Sequence, residues 1–269
     1  MRVCVLSSGS KGNSTFIEAG NLRLLVDEGL SKAEILKRLY SISVEPESIS
    51  AILITHEHSD HIRGILSFAK RYKTKVYANE ILWQILEPVF SELEVSQKIA
   101  FMGGDFFIEG LTVSEFSVPH DSFYCSGYSF YYEGIKASIC TDIGHMTQNI
   151  LNSLSESDIV IIESNHDKVM LENGKYPYCI KRRILSNKGH LCNEDCASSV
   201  LYLYGTGTRN FVLAHMSEEN NTREKVLYSS ALILKQHGVD ISKDVYLEVA
   251  SQHFPSTIFD IKGEIYERN

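Results

Sequence analysis

The sequence predicts two β-sheets packed face to face with helices on their outer surfaces, an α/β sandwich. Three observations lead there. Short apolar runs that read as strands are followed, after loops, by stretches of helical periodicity. The second half of the chain repeats the rhythm of the first. No low-complexity linker divides the 269 residues, so the span 1–269 reads as one domain made of two similar halves.

Each element has its own justification. Residues 2–6 form an apolar strand that runs into Ser7-Ser8-Gly9-Ser10-Lys11-Gly12-Asn13-Ser14, a loop of small residues and backbone donors. Strands at 15–18 and 22–26 are split by a turn at Gly20-Asn21, and Asp27 closes the second. Ser31 reads as an N-cap, with Glu34 at the capping-box position, for a helix reaching Tyr40. After the strand 51–54, the pattern gives a helix at 62–72, a strand at 75–77 and a helix at 80–87. Strands at 98–101, 106–108, 111–117, 126–132 and 136–141 precede helices near 147–154 and 179–187. A buried strand lies at 158–162, helix 193–204 feeds strand 210–214, and helix 219–237 feeds a last strand at 244–249.

Composition narrows the function classes. The 43% hydrophobic and 22% charged content is that of an ordinary water-soluble domain, and no run of about 18 apolar residues suggests a membrane span. The N-terminus lacks a secretory pattern, and six cysteines are scattered, so a cytoplasmic protein with reduced thiols is expected. Cys192 and Cys196, four apart, read as one helical turn packing inward. A net charge of −8 argues against strong non-specific binding to nucleic acid. Divalent ions in a cleft would reverse that charge locally.

The chemistry concentrates in His56-Glu57-His58-Ser59-Asp60-His61, directly after an apolar strand. In extended backbone the side chains of His56 and His58 point the same way, whereas consecutive Asp60 and His61 diverge. That pattern suits two neighbouring ions better than one. Three imidazoles and a carboxylate are donors for Zn²⁺, Mn²⁺ or Fe. More acids and imidazoles recur just after predicted strands: Asp27, His120, Asp142 and His215.

The order His-x-His-x-Asp-His, His, Asp, His resembles that of the metallo-β-lactamase superfamily, whose fold is a four-layer αββα sandwich. The stretches Ser8–Ser14, Thr55–His61, Glu163-Ser164-Asn165-His166-Asp167, Gly189–Asp195 and Leu213–Asn221 are similar to those of its YycJ/WalJ-like exonucleases. Cys192 stands where that group implies Ser. The resemblance implies two divalent metal ions, one held by His56, His58 and His120, the other by Asp60, His61 and His215. It makes Asp142 the bridge and Asp27 an orienter of a ligand imidazole. His145 is a rival to His120.

The reaction implied is phosphodiester hydrolysis by a metal-bridging hydroxide, in a nuclease degrading DNA from the 5′ end and serving DNA repair. His190, upstream of the last ligand, is the candidate general acid, and Asp60 shares the catalytic role. Lys11, Asn13, His166 and Arg182 are the candidate substrate contacts; Arg182 belongs to a basic and aromatic segment, 175–183, able to grip phosphates and stack a base. Two other readings remain: hydrolysis of a small ester, thioester or cyclic phosphodiester, and a non-catalytic binding protein that retains the fold.

Overall fold

The computed structural model describes residues 1–261; the end of the predicted domain, 262–269, lies outside the described residues. The strands are β1 (Arg2–Ser7), β2 (Ser14–Ala19), β3 (Leu22–Val26), β4 (Ala51–Leu53), β5 (Lys75–Asn79), β6 (Lys98–Phe101), β7 (Asp105–Ile108), β8 (Leu111–Ser117), β9 (Ser126–Tyr132), β10 (Ile135–Cys140), β11 (Ile159–Glu163), β12 (Asn210–Ala214), β13 (Tyr246–Val249) and β14 (Phe259–Asp260). The helices are α1 (Lys32–Ser41), α2 (Ser59–Ile62), α3 (Ile65–Tyr72), α4 (Glu80–Leu86), α5 (Gln148–Leu154), α6 (Lys168–Asn173), α7 (Tyr178–Ile184), α8 (Asn193–Gly205) and α9 (Arg223–Gln236).

The strands form two sheets, β14-β1-β2-β3-β4-β5-β6 and β13-β12-β11-β10-β9-β8-β7. Alternation within each strand builds the layers. In β11, Ile159 and Ile161 join the core between the sheets, while Val160 and Ile162 meet the outer helices. In β4, Ala51 and Leu53 face the other sheet and Ile52 packs under α1 and α3. Burying an Ile or Leu fully stabilises by about 1.5–3 kcal/mol relative to exposure, so these three apolar layers dominate the fold. The αββα sandwich predicted from the sequence is the architecture observed.

What positions the site is the parallel half of each sheet. Strands β3 to β6 run parallel, and so do β10 to β13. Their C-terminal ends open onto loops, the usual place for a site in such sheets. The predicted helix at 62–72 differs: the chain turns early as α2, breaks, and restarts as α3. Gly64, at the junction, has no room for a side chain, because a Cβ there would sit 1.5 Å from Glu28 Oε2. Arg63 beside it donates to the carbonyls of Lys11 and Gly29, pinning the loop 9–14. Helix α6, capped by Asp167, and strand β14 were not anticipated; both are too short for periodicity to reveal. The predicted helices 179–187 and 219–237 are trimmed to α7 and α9, the second starting after its N-cap Thr222.

Candidate metal centre

Asp27 follows β3 and anchors the hexapeptide that follows neighbouring β4. Its carboxylate accepts from Thr55 N–H at 2.8 Å, from the Thr55 hydroxyl at 2.7 Å and from His61 Nδ1 at 2.7 Å. The Thr55 oxygen, having given its proton to Asp27, accepts from His56 Nδ1 at 3.0 Å. His120, in the loop after β8, donates Nδ1–H to the Gly189 carbonyl at 3.1 Å. Gly189 must be glycine: a Cβ would lie 2.1 Å from the Ile184 carbonyl oxygen.

Three strand ends of the second sheet supply the rest. Asp142 follows β10, Glu163 ends β11 and His215 follows β12. Asp27, Asp142 and His215 all adopt left-handed backbone, with φ of 59°, 59° and 53°. Such conformations are uncommon for non-glycine residues and persist where the surroundings hold them. Glu163 Oε1 accepts from His215 Nδ1 at 2.7 Å and His190 Nδ1 at 2.8 Å, and Oε2 accepts from the N–H groups of Ile143 and Leu191.

In His56, His61, His120 and His215, Nδ1 thus faces an oxygen acceptor, which fixes the tautomer and turns Nε2 inward. The donor atoms of His56, His58 and His120 lie within 4.8 Å of one another, and so do those of Asp60, His61 and His215. Asp142 stands between: Oδ2 is 3.3 Å from His61 Nε2 and Oδ1 is 3.6 Å from His120 Nε2. Four of the inward atoms, His56 Nε2, His120 Nε2, Asp142 Oδ2 and His215 Nε2, are buried without a hydrogen-bond partner among the described residues. Buried polar atoms are rarely orphaned unless an ion or ligand completes them. The donor set, imidazoles plus carboxylates, fits divalent metal ions.

Electrostatics point the same way. Burial opposes the charge on Asp142, yet the surrounding imidazoles, His215 foremost, hold it well below the usual carboxylate range. Burial likewise opposes charge on Glu163, but His190 and His215 bring it down to about 2. Burial keeps His56 neutral, well below its ordinary value, and lowers His120 as well. For His61, the carboxylates of Asp27 and Asp142 outweigh burial and lift the imidazole to about 10. Ionised carboxylates this deep require positive charge beside them, from protons or from cations.

The other candidate residues fare differently. Asn13 is buried, and its amide reaches Asp60 Oδ2 at 3.2 Å and His61 Nε2 at 3.0 Å, so it serves the centre rather than touching substrate. His166, expected at the cleft, is only 1% exposed, and both its ring nitrogens are buried without a hydrogen-bond partner among the described residues. Lys11 is exposed and paired with Glu218. Arg182 lies over the Tyr178 ring at 5.9 Å on the outer face of α7. Its neighbour Arg183 is the one that reaches inward, to Asp121, whose Oδ1 is 3.3 Å from His120 Nε2. One helical position separates the two by about 100°, which spacing alone does not resolve. His145 is exposed with Nδ1 on the Asn187 carbonyl and joins none of the clusters. Cys192 caps α8 through Sγ, and Cys196 lies on the buried face of that helix. Glu163 was not singled out from the sequence as functional; an acid ending the apolar run Ile159-Val160-Ile161-Ile162 was the signal available.

Comparison with known proteins agrees with this geometry. The family model of the β-lactamase superfamily domain matches residues 23–216. An exodeoxyribonuclease YycJ of Bacillus anthracis is 35% identical over 255 residues, 94% of this chain and 97% of the relative. An exodeoxyribonuclease WalJ of Streptococcus pneumoniae is 39% identical over 223 residues, covering 82% and 83%. Among solved structures, the metallo-β-lactamase fold protein YhfI of Bacillus subtilis superposes with a TM-score of 0.71 at 15% identity, covering 95% of this chain and 98% of its own. A match over most of the length, on a fold whose strand ends gather this donor set, makes the chain a metal-dependent hydrolase of the metallo-β-lactamase superfamily, in the group that contains YycJ and WalJ.

Proposed function

We propose that the protein is a two-metal phosphodiesterase that degrades DNA as an exonuclease from the 5′ end, the whole chain acting as one catalytic domain. The observation that carries this reading is the pair of donor clusters flanking Asp142, with four inward atoms left unpartnered. His56, His58 and His120 would hold one ion, Asp60, His61 and His215 the other, and Asp142 both. Zinc or manganese suits these donors, and iron is compatible. Bound there, two cations supply Lewis acidity at the phosphoryl oxygens and a water acidic enough to attack near neutral pH. DNA as substrate is supported by the exodeoxyribonuclease relatives, and a place in DNA repair is what the resemblance to that group implies. Six unpaired cysteines support action in the reducing cytoplasm.

The chain's own residues do the remaining work. His190 spends Nδ1 on Glu163, which leaves Nε2 to carry a proton to the departing oxygen. Glu163 holds His190 and His215 with the same oxygen, so the proton donor and a ligand are set by one carboxylate. Asp60, 3.6 Å from His61 Nε2 and 3.8 Å from His215 Nε2, would combine its place in the second cluster with the catalytic role expected of it. Arg183 orients Asp121 beside His120.

The test is direct. Oligonucleotides labelled at either end are incubated with the protein and Mn²⁺, with and without EDTA, beside an aryl phosphodiester and a thioester. The 5′ label should appear first in mononucleotides, and EDTA should stop the reaction. Hydrolysis of the small substrates alone rejects the nuclease reading.

A further inference from the structure

The stretches 163–167, 189–195 and 213–221 contribute Glu163, His190 and His215 to the centre, yet four of their other polar residues, Ser164, Asn165, Asn193 and Asn221, are also buried and bonded to one another. Asn193 and Asn221 exchange amide hydrogen bonds: Asn193 Nδ2 donates to Asn221 Oδ1 at 2.9 Å, and Asn221 Nδ2 donates to Asn193 Oδ1 at 2.8 Å. The Ser164 hydroxyl donates to the same Asn193 oxygen at 2.8 Å. Asn221 Nδ2 also reaches the Asn165 carbonyl at 3.0 Å. This network lies wholly inside the protein, where each amide group must be paired to be tolerated.

Asn165 is the member that touches both functional loops. Its N–H donates to the Leu191 carbonyl at 2.9 Å, one residue beyond His190. Its carbonyl accepts from Ser217 N–H at 2.8 Å, two residues beyond His215. Its side-chain Nδ2 donates to the His215 carbonyl at 2.8 Å, an assignment the carbonyl forces because it can only accept. His215 N–H in turn donates to Ser8 Oγ at 2.7 Å. These two bonds clamp the peptide groups on either side of a residue held at φ 53°. The conformation is costly for a residue with a Cβ, so something must hold it.

We propose that Asn165 is a positioning residue that sets His215 against His190, braced by the Asn193–Asn221 pair. The inference rests on the two-ion reading above. Its consequence is an asymmetry. The ion assigned to Asp60, His61 and His215 depends on Asn165 directly, through His215, while the ion assigned to His56, His58 and His120 depends on it far less, because none of those three residues bonds to Asn165, Asn193 or Asn221 among the described residues and His120 meets these stretches at the Gly189 carbonyl.

Asn165→Asp tests this. It keeps the shape but replaces the donor with an acceptor facing the His215 carbonyl. Equilibrium dialysis of the full chain against Mn²⁺, followed by elemental analysis, resolves the two affinities. One should stay within about two-fold of wild type while the other weakens about 10- to 100-fold, the usual loss when an outer partner of a ligand is removed. Raising Mn²⁺ should then restore kcat. Should that variant not fold, Asn221→Ser removes only the brace and should split the affinities by about three-fold or more, a smaller effect of the same outer-partner kind. Equal weakening of both ions, or a lowered Tm with neither affinity changed, overturns the proposal and leaves the nuclease reading standing. A wild-type protein that binds fewer than two ions overturns both.

Discussion

One loop after β4 carries His56, His58, Asp60 and His61 within six residues, whereas the second sheet spreads Asp142, Glu163 and His215 over the ends of three adjacent parallel strands. The first group is held by its own backbone together with Thr55 beside it, Asp27 after the neighbouring strand, and Asn13, whose amide reaches Asp60 and His61. The second group has no local coherence at all. Two of its members stand in left-handed backbone, and they meet only because β10, β11 and β12 align in register. It is accordingly backed by a shared carboxylate, Glu163, and by the buried amides of Asn165, Asn193 and Asn221. The contrast teaches that a compact ligand loop can be supported cheaply, while ligands gathered from distant strands need a network whose failure is felt at each of them.

The residue that joins the two groups should matter most. Asp142 reaches toward His61 and His120 from one side and His215 from the other. Asp142→Ala should lower turnover of DNA by about 10³-fold or more and reduce bound metal below two ions per chain. Full metal occupancy with a normal rate would contradict the assignment of Asp142 between the ions. Next comes His190, which belongs to the spread group but holds no ion in this scheme. His190→Ala should keep both ions and lose about 10²-fold in kcat on DNA. On an aryl diester with a good leaving group, which needs no proton, the loss should be much smaller; equal losses would remove His190 from the acid role. The smallest effect is expected in the compact group. Asp27→Asn keeps the shape and loses the charge behind His61, so affinity for one ion should fall about ten-fold. If it instead disrupts the centre as completely as Asp142→Ala, the compact loop is no more self-sufficient than the strand ends.

The αββα layering was legible because period-two apolar strands and amphipathic helices leave few other ways to bury their faces. Within the site, the hexapeptide was legible because its residues are neighbours in the chain, and the single acids and imidazoles because each ends a strand. The sequence by itself therefore determined the layers, the order of the elements and the inventory of residues able to bind metal. Only the tertiary structure decided which of them meet. It enclosed His166, drew Asn13 to Asp60 and His61, turned Arg183 rather than Arg182 toward Asp121, and packed Gly64 against Glu28. It also gave Glu163 its place between His190 and His215. The physical reason is range. Strand and helix periodicity are set by near neighbours along the chain, while burial, the direction of a side chain and the partner of a carboxylate are set by strands and loops that only folding brings together.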